Sequence, residues 1–290
     1  MNYKKTITTL VIIIALLSIF VCVNGIFSVG GPGRHDIESF RGETITIYGQ
    51  GIYSNDSVSV ASQAVAQDVV TLFLGVPLLL TSLYFAIKGS LKGRLLLTGT
   101  LGYFLYTYVS YTFLSMYNPM FLLYTILMSS SFFTFIMCMM SINAEKLKEA
   151  FDKKLPIKLL GGFQIFLGTA LCLLWLGKIY PTIASEVVPV GLEHYTTLVI
   201  QGMDLGFIVP VAFLSGILLI RRKPFGYLLS SVVIMKGFTM GAALTAMIIN
   251  QYLAGVKMGI VEIIMFPLFS LVLCICLVVL LKNVKQSAEV

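Results

Sequence analysis

Eight apolar segments divide this chain, and each is about 20 residues or longer, enough to cross a hydrocarbon core of about 30 Å. They fall near Thr6–Phe27, Val65–Ile87, Leu95–Met116, Met120–Ile142, Ile157–Ile179, Thr197–Ile220, Phe225–Ile249 and Gly259–Leu281. In lipid a spanning segment must satisfy its own backbone polar groups, which leaves helices as the structures such segments form. The expected fold class is therefore all-α integral membrane, with eight transmembrane helices and the lipid bilayer as the main partner. Only 11% of the residues are charged, against about 25% in soluble domains.

The placement of the basic residues sets an expected topology. Fifteen of the twenty lie at Lys4, Lys5, Lys88, Lys92, Arg94, Lys146, Lys148, Lys153, Lys154, Lys158, Arg221, Arg222, Lys223, Lys282 and Lys285. The alternate connections hold only Arg34, Arg41, Lys178 and Lys257, and Lys236 lies within a segment. By the positive-inside rule both termini are expected in the cytoplasm, in a multi-pass protein of the cell (plasma) membrane. The net charge of +7 is thereby spread along one side of a membrane, which speaks against nucleic acid as a partner.

Lys4 and Lys5 before an apolar run also open a signal peptide, but the run is long and no A-x-A site follows, so a retained helix is expected. The longest connection, Ser28–Ala64, is expected outside. Its stretch Glu43–Tyr48 alternates polar and apolar residues, and turn residues surround Ile52 and Tyr53. A small β-hairpin cap is the expected result. Cys22, Cys138, Cys172, Cys274 and Cys276 all fall in apolar segments and read as packing thiols, so no disulfide framework is indicated. With His35 and His194 as the only histidines, no multi-histidine metal or haem site is expected, and no cofactor is implied.

Shifting the sequence by 133 positions superposes Pro77 on Pro210, Ser82 on Ser215, Lys88 on Arg221, Gly93 on Gly226 and Thr98 on Ser231. The chain is thus read as two four-helix repeats, residues 1–142 and 157–290, joined by a charged linker at 143–156. Even numbers of helices give both halves one orientation, with an axis along the membrane normal.

Charges within the segments are costly, at about 3 kcal/mol or more each, and point to a partner or a polar cavity. Counting about 1.5 Å per residue from the segment ends places Asp204 about 10 Å and Lys236 about 12 Å below the outer surface. The tight turn at Arg221–Pro224 makes their helices neighbours, so an ion pair between Asp204 and Lys236 beside a cavity is expected. Under the repeat these residues correspond to Thr71 and Tyr103. Gly202 and Gly206 flank Asp204, and Gly237 and Gly241 follow Lys236, at a spacing that lets helices approach closely. Tyr103, Tyr106, Asp68, Glu262 and His194 complete the candidate ligand-binding residues in the outer half, with Glu193 beside His194 available to an enzyme acting from the outer face. No catalytic or metal-binding set is indicated. For Asp68 and Glu262, capping of a helix amino end is an equal alternative.

The run Gly49–Ser57, continuing through Ala66-Gln-Asp-Val-Val-Thr71 to Pro77, and the run Gly99–Tyr108 resemble an uncharacterised family of prokaryotic polytopic membrane proteins. That resemblance implies no known activity. Three functions fit these residues: binding or transport of a small solute between the halves, an enzyme acting from the outer face, and a sensor or assembly module without chemistry. The cytoplasmic halves of the segments hold almost no polar residues, which favours binding from outside.

Overall fold

The computed structural model describes residues 3–185 and 187–285, so the end of the half drawn to residue 290 lies outside the described residues. Seven stretches of helix are long and apolar enough to cross a membrane. They are α1 (Lys4–Phe27), the run of α2 (Val58–Val70) into α3 (Val76–Ile87), α5 (Phe121–Met140), α7 (Ile157–Ser185), the run of α8 (Val199–Met203) into α9 (Val209–Ile220), α10 (Pro224–Leu253) and α11 (Ile260–Lys282). Their outward faces expose Leu16, Phe73, Phe133, Leu173, Phe207 and Leu253, as lipid contact requires.

The remaining expected segment forms α4 (Leu91–Phe113), which is equally long but too polar in composition to count with the seven. Lys92 and Arg94 lie in its first turn, and glycines, threonines and tyrosines fill its length. It packs against α3, α5 and α10, and Tyr103, Phe104 and Tyr108 are fully enclosed. A helix surrounded by other helices can carry polar groups because protein, rather than lipid, satisfies them.

The run of α2 into α3 and the run of α8 into α9 change their winding at the same place. Residues Thr71–Gly75 and Asp204–Ile208 form single π-turns, with Val76 N–H bonded to Thr71 O and Val209 N–H to Asp204 O. Pro77 and Pro210 stand two residues beyond these turns. A proline ring has no N–H to donate and crowds the carbonyl four residues back, and a widened turn relieves that conflict. The turn beyond repeats as well. Gly89 (φ +88°) and Arg222 (φ +54°) take left-handed conformations, and Ser90 N–H bonds Phe85 O as Lys223 N–H bonds Leu218 O. Gly93 and Gly226 then hold the helices at backbone contact. A Cβ on Gly93 would lie 2.7 Å from Ala86 N, and one on Gly226 2.4 Å from Leu219 N.

The expected connection from Ser28 to Ala64 is shorter, because α2 begins at Val58, where the Ser57 side chain accepts the Val60 N–H. Within it β1 (His35–Glu38) and β2 (Thr44–Ile47) pair antiparallel, with His35 opposite Ile47 and Glu38 opposite Thr44. At the other end of the bundle, α6 (Ala144–Ala150) is capped by the Asn143 side chain. It buries Leu147 and Ala150, and backbone bonds tie Asp152 to Asn283 and Lys285 to Ala150. The linker at 143–156 is therefore packed onto the end of α11.

Candidate functional site

The first π-turn residue of the second run, Asp204, points into the bundle and is 7% exposed. Its carboxylate accepts two hydrogen bonds. Tyr106 of α4 donates its hydroxyl to Oδ1 at 2.8 Å, and Trp175 of α7 donates Nε1–H to Oδ2 at 2.9 Å. Lys236 of α10 runs its stem beside Gly102 of α4 and sets its ammonium 3.8 Å from the centroid of the Tyr106 ring. Four helices thus converge on one polar group. Tyr106, Trp175 and Lys236 are part-buried, and Asp204 is buried.

The charges of Asp204 and Lys236 act on each other, but the two groups do not touch. Among the described residues no nitrogen–oxygen contact within 4.0 Å joins Lys236 to Asp204. The Tyr106 side chain touches both, holding the cation on its ring face and the anion at its hydroxyl. An aromatic face attracts a cation through its quadrupole, and the phenol O–H satisfies the carboxylate, so one side chain serves both charges. The flanking glycines divide in role. Gly237 and Gly241 admit α11, since a Cβ would meet Leu273 at 2.9 Å and the Ser270 Cα at 3.0 Å. Gly202 and Gly206 have nothing within 4 Å of that position and make no close helix contact.

Tyr103 and Tyr106 serve different networks, although they share an expected stripe on α4. The Tyr103 hydroxyl is 2.8 Å from Thr71 Oγ1 and accepts from Gln67 Nε2 at 2.9 Å; Gln67 also donates to Thr107. One residue along, Asp68 is 1% exposed and accepts from Tyr53 at 2.6 Å and from Tyr111 at 3.1 Å. Its space is made by Gly25 of α1, where a Cβ would fall 1.7 Å from Asp68 Oδ2. Asp68 is accordingly a core group enclosed by α1, α4 and Tyr53, and no helix cap.

Outside the spans a third set joins the segment before α2 to the one before α8. Asp56 Oδ1 accepts from the Tyr195 hydroxyl and the Met116 N–H, both at 2.9 Å. Arg41 donates to the carbonyls of Glu193 and Tyr195 at 2.9 Å, and His194 Nε2 lies 3.1 Å from Asn55 O. Burial pushes the Asp56 carboxyl up to about 6, the nearby Glu193 charge adding to the shift against the Met116 and Tyr195 hydrogen bonds. Burial also raises the Glu193 carboxyl and the Tyr195 hydroxyl above their ordinary values. His194 therefore belongs to this clasp. Glu262 is exposed and caps Gly259 N–H at 3.2 Å, so it follows the capping alternative.

Trp175, Gln67, Tyr53, Asp56 and Tyr195 escaped sequence reasoning. Trp175 carried one usable signal, as the single tryptophan of the chain, set within an apolar segment. Two clefts are described, neither lined by Asp204 or Lys236. One, of about 360 Å³, lies along α7 from Leu173 to Ile183; the other, of about 280 Å³, is formed by Ser28–Gly33 and Gln50. Among the described residues no group of three or more His, Cys, Asp or Glu could hold a metal ion. No family model, no curated protein and no solved structure matches this chain.

Proposed function

We propose that this polytopic membrane protein binds a small solute between two four-helix halves, at the group formed by Asp204, Lys236, Tyr106 and Trp175. The observation that carries the reading is the convergence of two opposite charges and two polar aromatics from four helices. Intramembrane charges of this kind mark ligand or ion pathways by default. Asp204 also opens a π-turn, a distortion frequent at functional sites.

The wider arrangement in this reading is eight spans, with α4 crossing, both termini in the cytoplasm of the cell membrane, and the Ser28–Ser57 segment outside as a cap. The twin π-turns and the matching turn hydrogen bonds at an interval of 133 residues support a parallel repeat. The packing of α6 under α10 and α11 closes the expected inner end, which favours loading from outside. Against an enzyme on the outer face, Asp68, His194 and Glu262 engage three separate sets of partners.

Thermal unfolding of the purified protein against pools of small polar solutes tests the reading. At least one pool should stabilise the native chain and lose that effect in both Asp204→Asn and Lys236→Met. Stabilisation that survives both substitutions, or none from any pool, overturns it.

A further inference from the structure

Asp68 shares no bonded partner with Asp204 and is 1% exposed within α2. Tyr53 and Tyr111 bond its two oxygens, and the Cys22 thiol faces it. Tyr103, Tyr108 and Tyr124 stand beyond them. All of these are uncharged phenols or a thiol. The helix α10 also packs on α2, but it brings the Asn250 and Gln251 amides to Ser62 and Ser59. Among the described residues no Lys, Arg or His bonds Asp68. Nothing in these surroundings compensates a negative charge, and a buried carboxyl without a counter-charge is neutralised by a proton.

The hydrogens of the network lead to the same place. A tyrosine hydroxyl has one hydrogen to donate. That of Tyr111 faces two acceptors, Ala64 O at 2.9 Å and Asp68 Oδ1 at 3.1 Å, while Tyr53 spends its own on Oδ2 at 2.6 Å. A proton on Oδ1 makes up the shortage. It donates to the Tyr111 oxygen and frees the Tyr111 hydrogen for Ala64 O, so that each contact has a hydrogen of its own. Of the side chains that touch the carboxyl, Cys22 and Tyr111 ride on the long helices α1 and α4, whereas Tyr53 belongs to the Gly51–Tyr53 turn between β2 and α2. Gly51 N–H on Gly30 O and Ile52 N–H on Ser28 Oγ, both at 2.9 Å, hold that turn. It is thus the part of the enclosure that can open without breaking a helix.

We propose that Asp68 is a proton-binding site, loaded at neutral pH, whose proton exchanges with water past Tyr53 when the Gly51–Tyr53 turn lifts. The proton comes from bulk water and returns to it, and only the O–H bond on Oδ1 is made or broken. The site stands whether or not a solute binds at Asp204.

Infrared spectra of the purified protein at neutral pH test the site. The native protein should show the carbonyl stretch of a protonated carboxylic acid, and Asp68→Asn should remove it. Tyr53→Phe takes one hydrogen bond from that carbonyl and should move the band to higher frequency. On transfer to heavy water the band should respond slowly in the native protein and at least about tenfold faster in Tyr53→Ala. Loss of carboxylate bands in Asp68→Asn, in place of an acid band, overturns the proposal. An acid band that Asp68→Asn does not remove and Tyr53→Phe does not move belongs to another carboxyl and overturns it as well. Equal deuteration rates in the native protein and Tyr53→Ala reject exchange past Tyr53. Where Asp68→Asn does not accumulate, the frequency shift in Tyr53→Phe decides.

Discussion

The Lys236 ammonium lies 3.8 Å from the centroid of the Tyr106 ring, across the interface between α10 and α4. Because the same tyrosine donates to Asp204, beside Trp175, one neutral side chain contacts two costly intramembrane charges. A direct pair would need only its two members, whereas this arrangement needs a third residue from the other half of the chain. Tyr106 should consequently be the most sensitive position of the group.

Substitution can separate the two duties of Tyr106. Tyr106→Phe keeps the ring but leaves Asp204 Oδ1 without its donor, at a cost of about 1–3 kcal/mol. Tyr106→Leu removes the cation–π contact as well and should add about 1 kcal/mol. That second increment should vanish in a Lys236→Met background, read by thermal unfolding in detergent. Equal losses for Phe and Leu would show that the ring does not hold the ammonium.

Gly25 provides a packing test of the Asp68 site. A methyl group there would collide with Asp68 Oδ2, so Gly25→Ala should destabilise by about 1–3 kcal/mol as an overpacking change. Shortening the obstacle by Asp68→Ala should make Gly25→Ala nearly free of further cost, although Asp68→Ala will carry its own. Additive losses in the double variant would mean that the two side chains do not meet.

The clasp should respond to pH through Asp56. Its carboxyl titrates near 6 when folded and near 3.8 in its unperturbed state, so the folded state holds the extra proton between those values. Stability from this group is full below about pH 4 and falls as pH rises through 6, by about 3 kcal/mol at most. Amide exchange of the 41–57 segment should quicken over that interval in the native protein and stay flat in Asp56→Asn. Slower exchange at higher pH, after correction for intrinsic rates, would reverse the sign and reject the assignment.

Topology can be settled by impermeant thiol labelling of Lys88→Cys, Tyr117→Cys, Ser54→Cys and Lys153→Cys, one at a time. Tyr117 and Ser54 should label from outside, and Lys88 and Lys153 only after the membrane is opened. Lys88 and Tyr117 flank α4, so labelling of both from one side would show that α4 does not cross. The native cysteines all lie in helices and serve as the background.

Legibility in the sequence stopped at particular residues. The turn at Lys88–Ser90 and its counterpart at Arg221–Lys223 could be read, since short basic turns between apolar runs leave little conformational choice. Pro77 and Pro210 could be seen, though not the π-turns before them, because a proline within a helix need not widen it, as Pro181 and Pro267 do not. Asp204 and Lys236 could be placed at one depth, because rise per residue is fixed. That Tyr106 would stand between them could not be read, nor that Tyr103, three residues away, would turn to Gln67 and Thr71.

Hydropathy along the chain by itself determined that this is a membrane protein built from helices, because lipid offers the backbone no alternative partners. It also marked which buried charges would need company. The choice of company belonged to the tertiary structure. Helix rotation and crossing decide whether the Trp175 indole faces Asp204 and whether Tyr195, 139 residues from Asp56, reaches its carboxylate. Those rotations are set by contacts such as Gly93 on Ala86 and Gly237 on Leu273, which join residues remote in sequence or on separate helices and leave no periodic trace in either.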